Sequence, residues 1–306
     1  MTEDCSGNPV QSWNETQNMI SDHTTLNCRG RLVSLSRPVI MGILNLTPDS
    51  FYDGGRWNAL DGAMRQTQRM LDEGALFIDI GGMSTRPGAR QVDVEEELQR
   101  VIPALTALRE QFPEALFSID TVHARVIREA WDAGISLVND VSAGSIDTEV
   151  FPTISKLQIP YVLMHMKGVP ANMQAAPEYE NGPVIEILDF FIRQVGVLRD
   201  LGIKDIVLDP GFGFGKTLRD NYVLLQELDV FNILGLPLLV GISRKSMIYK
   251  ALGTGPEGAL HGTTALHMAA LQKGASILRV HDVGPARDAI RMWEQLDNAR
   301  QTDLMP

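Results

Sequence analysis

The chain has 306 residues, 44% of them hydrophobic, 21% charged and 6% aromatic, which excludes collagen-like, mucin-like and wholly disordered classes. That length buries a sizeable core, either as two domains or as one α/β barrel of roughly 250 residues with extensions. Lys and Arg number 27 against 38 Asp and Glu, a net charge of −11; this argues against nucleic-acid and anionic-membrane partners and requires any anionic substrate to be held by local cations.

From Met1 to about Thr25 the chain is rich in Asn, Gln, Ser, Thr and acids without periodicity, so residues 1–25 are expected to form a flexible N-terminal extension and residues 26–306 a single folded domain. The segment to Ile20 is polar and acidic where a signal peptide would be basic and then apolar, and no apolar run reaches the roughly 18 residues of a membrane span. Both cysteines, Cys5 and Cys28, precede the first periodic segment, which argues against a disulfide framework; the expected compartment is the cytoplasm.

From Val39 a unit recurs: a short apolar run, a loop of Gly, Asp, Ser and Pro, then a stretch with helical spacing. The runs are Val39 to Leu46, Leu76 to Ile80, Leu116 to Ile119, Leu137 to Val141, Tyr161 to Met166, Ile206 to Leu208, Leu238 to Ile242 and Ile277 to Val280. Helices are predicted over Ala59 to Glu73, Val94 to Phe112, Ala124 to Ala133, Val184 to Leu201, Asn221 to Leu228, Ala259 to Gln272 and Pro285 to Leu296, several ending in Gly. Alternating strands and helices imply a parallel sheet covered on both faces, and eight units close into a single-domain (β/α)8 TIM barrel. A doubly wound open sheet is the structural alternative.

At nearly every strand the unusual polar residues follow the apolar run, which in a closed barrel gathers them on the C-terminal rim. Asp120, Asn139 and Asp209 offer acceptors and an amide for the edge of a flat heterocycle such as a pterin or purine. Arg86, Lys216, Arg244, Lys245 and Arg279, with His281, would line that rim with cations suited to a phosphate or diphosphate. Plainer readings stand beside these. Asp140 and Asp282 read as loop anchors, and His165, His123, His261 and His267 as structural histidines. Phe212 and Phe214 either plug the barrel mouth or stack on a ring, and Glu95-Glu96-Glu97 reads as a solvated helix start. Gly211 to Lys216 lacks the spacing of a phosphate loop. No zinc pattern and no Ser-His-Asp or Cys-His arrangement is present, whereas magnesium, which keeps most of its waters, is compatible with Asn45 as oxygen donor.

Five segments in this order, Met41 to Phe51, Ser84 to Ala89, Leu208 to Lys216, Ser243 to Met247 and Arg279 to Val283, resemble the dihydropteroate synthase family, targets of sulfonamide drugs, over about Pro38 to Val283. The resemblance implies a transferase of folate biosynthesis, usually a homodimer. Such enzymes condense 7,8-dihydropterin-6-ylmethyl diphosphate with 4-aminobenzoate to give dihydropteroate and diphosphate. It also implies Asp120, Asn139, Asp209 and Lys245 around the pterin with Phe214 and Met164 beside it. Asn45 would meet Mg2+, and Arg279 and His281 the diphosphate. Thr85, Arg86, Pro87 and Ser246 would lie at the aminobenzoate, with Phe51 on a loop closing over it. Met83 stands where the family commonly has Glu, and Tyr52 where it has a smaller residue. Two other readings compete: a pterin-binding methyltransferase barrel working with a corrinoid, which has less need of the cations, and a non-catalytic pterin-binding barrel. The apolar surfaces around Ala265 to Ala270 and Ile290 to Leu296 suit an interface or barrel packing equally.

Overall fold

The structure, a computed structural model, describes residues 24–46, 56–83, 92–168 and 177–302. In chain order it runs β1 (Thr25–Cys28), β2 (Arg31–Ser34), β3 (Val39–Asn45), α1 (Arg56–Glu73), β4 (Phe77–Gly81), α2 (Val94–Gln111), β5 (Leu116–Asp120), α3 (Ala124–Asp132), β6 (Leu137–Asp140), α4 (Val150–Leu157) and β7 (Tyr161–Met164). There follow α5 (Pro183–Asp200), β8 (Ile206–Asp209), α6 (Leu218–Gln226), β9 (Leu238–Val240), α7 (Ser246–Leu252), α8 (Leu260–Gln272), β10 (Ala275–Val280) and α9 (Val283–Thr302), with 3-10 turns at Leu228–Leu234 and Pro256–Ala259. Strands β3 to β10 form a closed parallel barrel in the order β10-β3-β4-β5-β6-β7-β8-β9, so the open doubly wound sheet is excluded and all eight expected strands are in place.

Alternation along each strand sorts the side chains into two shells. Ile78, Ile80, Phe117, Ile119, Val138, Leu163, Leu208 and Val240 point out into the large core under the helices. Met41, Phe77, Leu116, Leu137, Val162, Val207, Leu239 and Ile277 point in and form one apolar layer. Two residues further along the strands the inward positions become Asp79, Ser118, Asn139, Met164, Asp209 and Arg279, which are the site.

The N-terminal end of the barrel is sealed by a hairpin that the sequence reading did not anticipate. β1 pairs antiparallel with β2, and Leu26, Cys28, Val33 and Leu35 complete the inner apolar layer. The turn uses Arg29 and Gly30 at positive φ, the pattern of a tight two-residue hairpin, with the Gly30 N–H donating to Asn27 Oδ1 at 2.7 Å. Thr25, counted with the extension on composition, is therefore the first residue of β1. Cys28 is a buried free thiol, and burial pushes it up to about 12.

Helix starts follow local chemistry. Asp93 Oδ1 accepts the Glu96 N–H at 2.8 Å to cap α2, and Thr217 with Asp220 forms a reciprocal capping box on α6. Helices α4 and α7 have only 8 and 7 residues, too few turns to register as amphipathic periods. The acidic start of α2 departs from expectation. Glu95 pairs with Arg125 and Glu96 with Arg100 at the surface, but Glu97 is completely buried. The missing Cβ of Gly82 makes its room, since a methyl there would come within 3.1 Å of Glu97 Cγ. Burial pushes the Glu97 carboxyl up to about 7, against a side-chain hydrogen bond from Thr121 and the charge of Arg100.

Candidate active site

Parallel pairing brings Asn45, Gly81, Asp120 and Asn139 into register on four successive strands. Beside them, on β10, the strand that pairs with β3, stands Arg279. Its Nε donates to Asp79 Oδ2 at 2.7 Å and its Nη2 to Asp120 Oδ2 at 2.7 Å. Asn139 Nδ2 donates to the same Asp79 oxygen at 2.9 Å. The other oxygens of this pair, Asp79 Oδ1 and Asn139 Oδ1, are buried without a hydrogen-bond partner among the described residues. Unmet acceptors at such depth are costly, so a ligand bearing N–H donors is the natural complement. Asp79 lies inside the second run, with no assigned role in the sequence reading. Its signal was present all the same: a lone acid within an apolar strand, on the same face as Gly81.

The second group gathers at β8 and the start of α7. Asp209 accepts the Gly211 N–H at 2.7 Å, and Lys245, the residue preceding α7, donates from Nζ to the Phe212 carbonyl. Lys245 Nζ also lies 4.6 Å from the centre of the Phe214 ring. Gly241 lies between the two groups: a methyl there would be 3.9 Å from Lys245 Nζ and 4.0 Å from Arg279 Cβ. Burial pushes Asp209 up while the Lys245, Arg279 and Lys216 charges pull it back; burial lowers Lys245 to about 8. Asp120 is pushed up to about 7 by burial against the pull of Arg279, with Asp79, Glu97 and Asp140 adding to the rise.

Asp120, Asn139, Asp209, Lys245 and Arg279 therefore meet at one mouth, as expected. Met164 and Phe214 join Val122 and Val141 in an apolar cluster there, and Met83 packs against it, which gives that substitution a place: a thioether on an apolar wall. Phe212, in contrast, is in the outer core. His281 pairs with Ser243 through Nδ1 and Oγ at 3.2 Å, and Ser246 opens α7 half-buried. Phe51, Thr85, Arg86 and Pro87 lie outside the described residues.

The expected rim of free cations needs correction. Arg244 is bound to Asp282 by two hydrogen bonds of 2.7 and 2.8 Å, Lys216 is spent on backbone carbonyls, and Arg279 sits within the acidic floor, not on a separate basic wall. Close acids draw in cations because a buried charge without a partner costs several kcal/mol (about 3–5). The plainer readings hold elsewhere. Asp140 anchors its loop by accepting from Ser142, Gly144 and Tyr161. His165 packs edge-on against Phe190 and is held neutral, lowered to about 2 by burial and by Lys216 and Lys167.

Among the described residues no three or more His, Cys, Asp or Glu side chains gather to hold a metal, so a site made of protein ligands alone is absent there. Asn45 Oδ1 lies 3.6 Å from where a Gly81 Cβ would stand, at the mouth beside Asp120. One neutral, hard oxygen fits an ion that keeps its waters and takes its other oxygens from phosphate.

A closed barrel whose mouth offers acids, an amide and an ammonium to one flat ring defines a pterin-binding enzyme, and the chain belongs to that family, whose sequence profile matches residues 41–281. Relatives within the family include dihydropteroate synthases. The Haemophilus influenzae enzyme is 45% identical over 276 residues, covering 90% of this chain and 99% of its own. The Yersinia pestis dihydropteroate synthase with a sulfonamide drug superposes with a TM-score of 0.84 at 44% identity, over 90% of this chain and 100% of that one. The Xanthomonas albilineans dihydropteroate synthase with 4-aminobenzoic acid gives 0.83 at 40% identity, over 92% and 99%. No described helix is long and apolar enough to cross a membrane.

Proposed function

We propose that the chain is a dihydropteroate synthase of folate biosynthesis, condensing 7,8-dihydropterin-6-ylmethyl diphosphate with 4-aminobenzoate to 7,8-dihydropteroate and diphosphate. The observation that carries this reading is the Arg279 bridge between Asp79 and Asp120 facing Asp209 and Lys245, with two unmet buried acceptors beside it. The ring's amino and N–H donors complete those acceptors, and Phe214 and Met164 cover its apolar face.

In this reading the CH2–O bond breaks first and its electron pair leaves with the diphosphate. The electron-rich dihydropterin spreads the resulting positive charge, and Asp120 and Asp209 favour it electrostatically. Guanidinium hydrogens of Arg279 not committed to the acids, together with His281, stabilise the departing anion more in the transition state than before it. Asn45 would hold Mg2+, which supplies charge neutralisation to the diphosphate when bound. The arylamine is unprotonated near neutrality, attacks the methylene carbon and then loses its proton, so no dedicated base is required. Ser246 belongs to the aminobenzoate end, with Phe51, Thr85, Arg86 and Pro87 proposed from the resemblance, and sulfonamides would compete there.

The test is diphosphate release from the pterin diphosphate with Mg2+, with and without 4-aminobenzoate. Release that requires the amine is expected; pterin binding without release would leave a non-catalytic barrel. Lys245→Ala and Asp209→Asn should each lower turnover at least about a hundredfold with little change in melting temperature, and wild-type rates in both would remove the site assignment. A homodimer is proposed from the groove between α8 and α9, lined by Ala265, Met268, Ala289 and the exposed Met292, with Leu296 exposed further along α9. Sedimentation of Met292→Glu against the unsubstituted chain tests it. The cytoplasm is the proposed compartment, in keeping with the buried free thiol of Cys28.

A further inference from the structure

Lys216 is buried at 3% exposure, and no carboxylate forms an ion pair with it among the described residues. Its Nζ instead bonds to the Gly211 carbonyl at 2.8 Å, the Phe214 carbonyl at 3.0 Å and His165 Nδ1 at 3.1 Å, with the His165 carbonyl at 3.4 Å. Three ammonium hydrogens are thus shared among four neutral acceptors, His165 being neutral. The turn it holds is pressed onto the end of β7. A Cβ at Gly211 would stand 1.9 Å from the His165 carbonyl oxygen and one at Gly215 2.2 Å from that of Lys167, both at positive φ. Tyr179 fastens the same turn by donating its O–H to the Gly215 carbonyl at 2.9 Å. Lys245 takes the intervening Phe212 carbonyl, so two ammonium groups divide the oxygens of one turn between them.

We infer that Lys216 is a positioning residue for the pterin end of the site: it fixes the 211–216 turn that presents Phe214 and orients Lys245, and it sets a buried ammonium beneath the turn that follows Asp209. A purely mechanical clasp would not require a charge, because a neutral amide satisfies carbonyls without the desolvation cost of an ammonium. The charged groups that bear on Asp209 are Lys245, Arg279 and Lys216; those that bear on Lys216 are Asp209, Lys245 and Asp220, with His165 in contact. Burial lowers Lys216 to about 7, so its full charge is present on the acid side of neutrality, where the acid limb of binding is read. Loss of the Lys216 charge raises the Asp209 pKa, so the fall in ring binding on the acid side moves to higher pH.

The inference rests on the proposed reaction, and its test is therefore read by equilibrium binding of 6-hydroxymethylpterin across pH as well as by turnover; an unsubstituted chain that binds the pterin without releasing diphosphate would fail that reading alone. Lys216→Gln should weaken pterin binding about tenfold near neutral pH and shift its acid limb upward, leaving KM for 4-aminobenzoate unchanged, while Lys216→Arg should restore the limb. Tyr179→Phe, which loosens the turn without touching charge, should weaken binding with the limb unmoved. A folded Lys216→Gln protein with a wild-type acid limb overturns the inference. Should that variant not fold, lysine-selective 13C labelling of the unsubstituted chain decides: the Lys216 Cε resonance should respond both to Asp209 titration and to the pterin, and a resonance indifferent to either overturns it.

Discussion

The two ends of the barrel interior lie two residues apart on the same strands and solve opposite problems. At the N-terminal end Met41, Phe77, Leu116, Val162 and Ile277 meet Leu26 and Val33 of the hairpin in one apolar layer. At the next inward step Asp79, Asn139 and Asp209 are as deeply buried but charged or polar, and Arg279 reaches them from a half-buried position. The lower layer is stabilised by area removed from water; the upper one holds because Arg279 bonds to both Asp79 and Asp120 and Asp209 accepts a backbone N–H, and it keeps acceptors in reserve. Stability is concentrated below and chemistry above.

The sharpest way to break this division is Arg279→Met. It leaves Asp79 and Asp120 buried together without their guanidinium, and a loss of about 3–5 kcal/mol in denaturant melts, with turnover abolished, is expected. Asp120, already raised by burial, then loses the guanidinium that holds it down and takes up a proton more readily when folded than when unfolded, so the loss should shrink as pH falls; a loss independent of pH would contradict the bridge.

Leu26→Ala probes the lower layer. Cavity formation under the hairpin should cost about 2–4 kcal/mol, while kcat/KM per folded molecule stays within about twofold, since the site is a layer away. A large fall in kcat/KM would mean that the two ends are coupled.

The smallest effect sharpens the boundary between them. Glu97 is held up to about 7 from an ordinary 4.5, so between these values the folded chain binds a proton that the unfolded chain has released, and stability falls as pH rises through that window. Glu97→Gln should remove this slope and exceed the unsubstituted chain by on the order of 2 kcal/mol at pH 8. Parallel stability curves from pH 5 to 8 would show Glu97 to be compensated.

Much of this was legible before any coordinates. The eight strands were marked by apolar runs, and the mouth residues by falling after those runs, a regularity that backbone periodicity imposes. The hairpin escaped because four-residue strands beside a polar segment carry too little pattern, although Leu26 and Cys28 alternate correctly about Arg29-Gly30. Glu97 escaped because its two acidic neighbours do lie at the surface, and only the glycine across from it decides its burial.

The sequence by itself determined the barrel, which way each strand faces and which residues gather at its open end, because those follow from periods of 2 and 3.6 along the chain. Only the tertiary structure decided who pairs with whom: that Arg279 takes Asp79, 200 residues away, and Asp120, that Arg244 goes to Asp282, and that Lys216 turns to carbonyls. Closure of the barrel sets acids and bases in competition at fixed distances, and the winners are chosen by desolvation and reach, neither of which is written in the local order of residues.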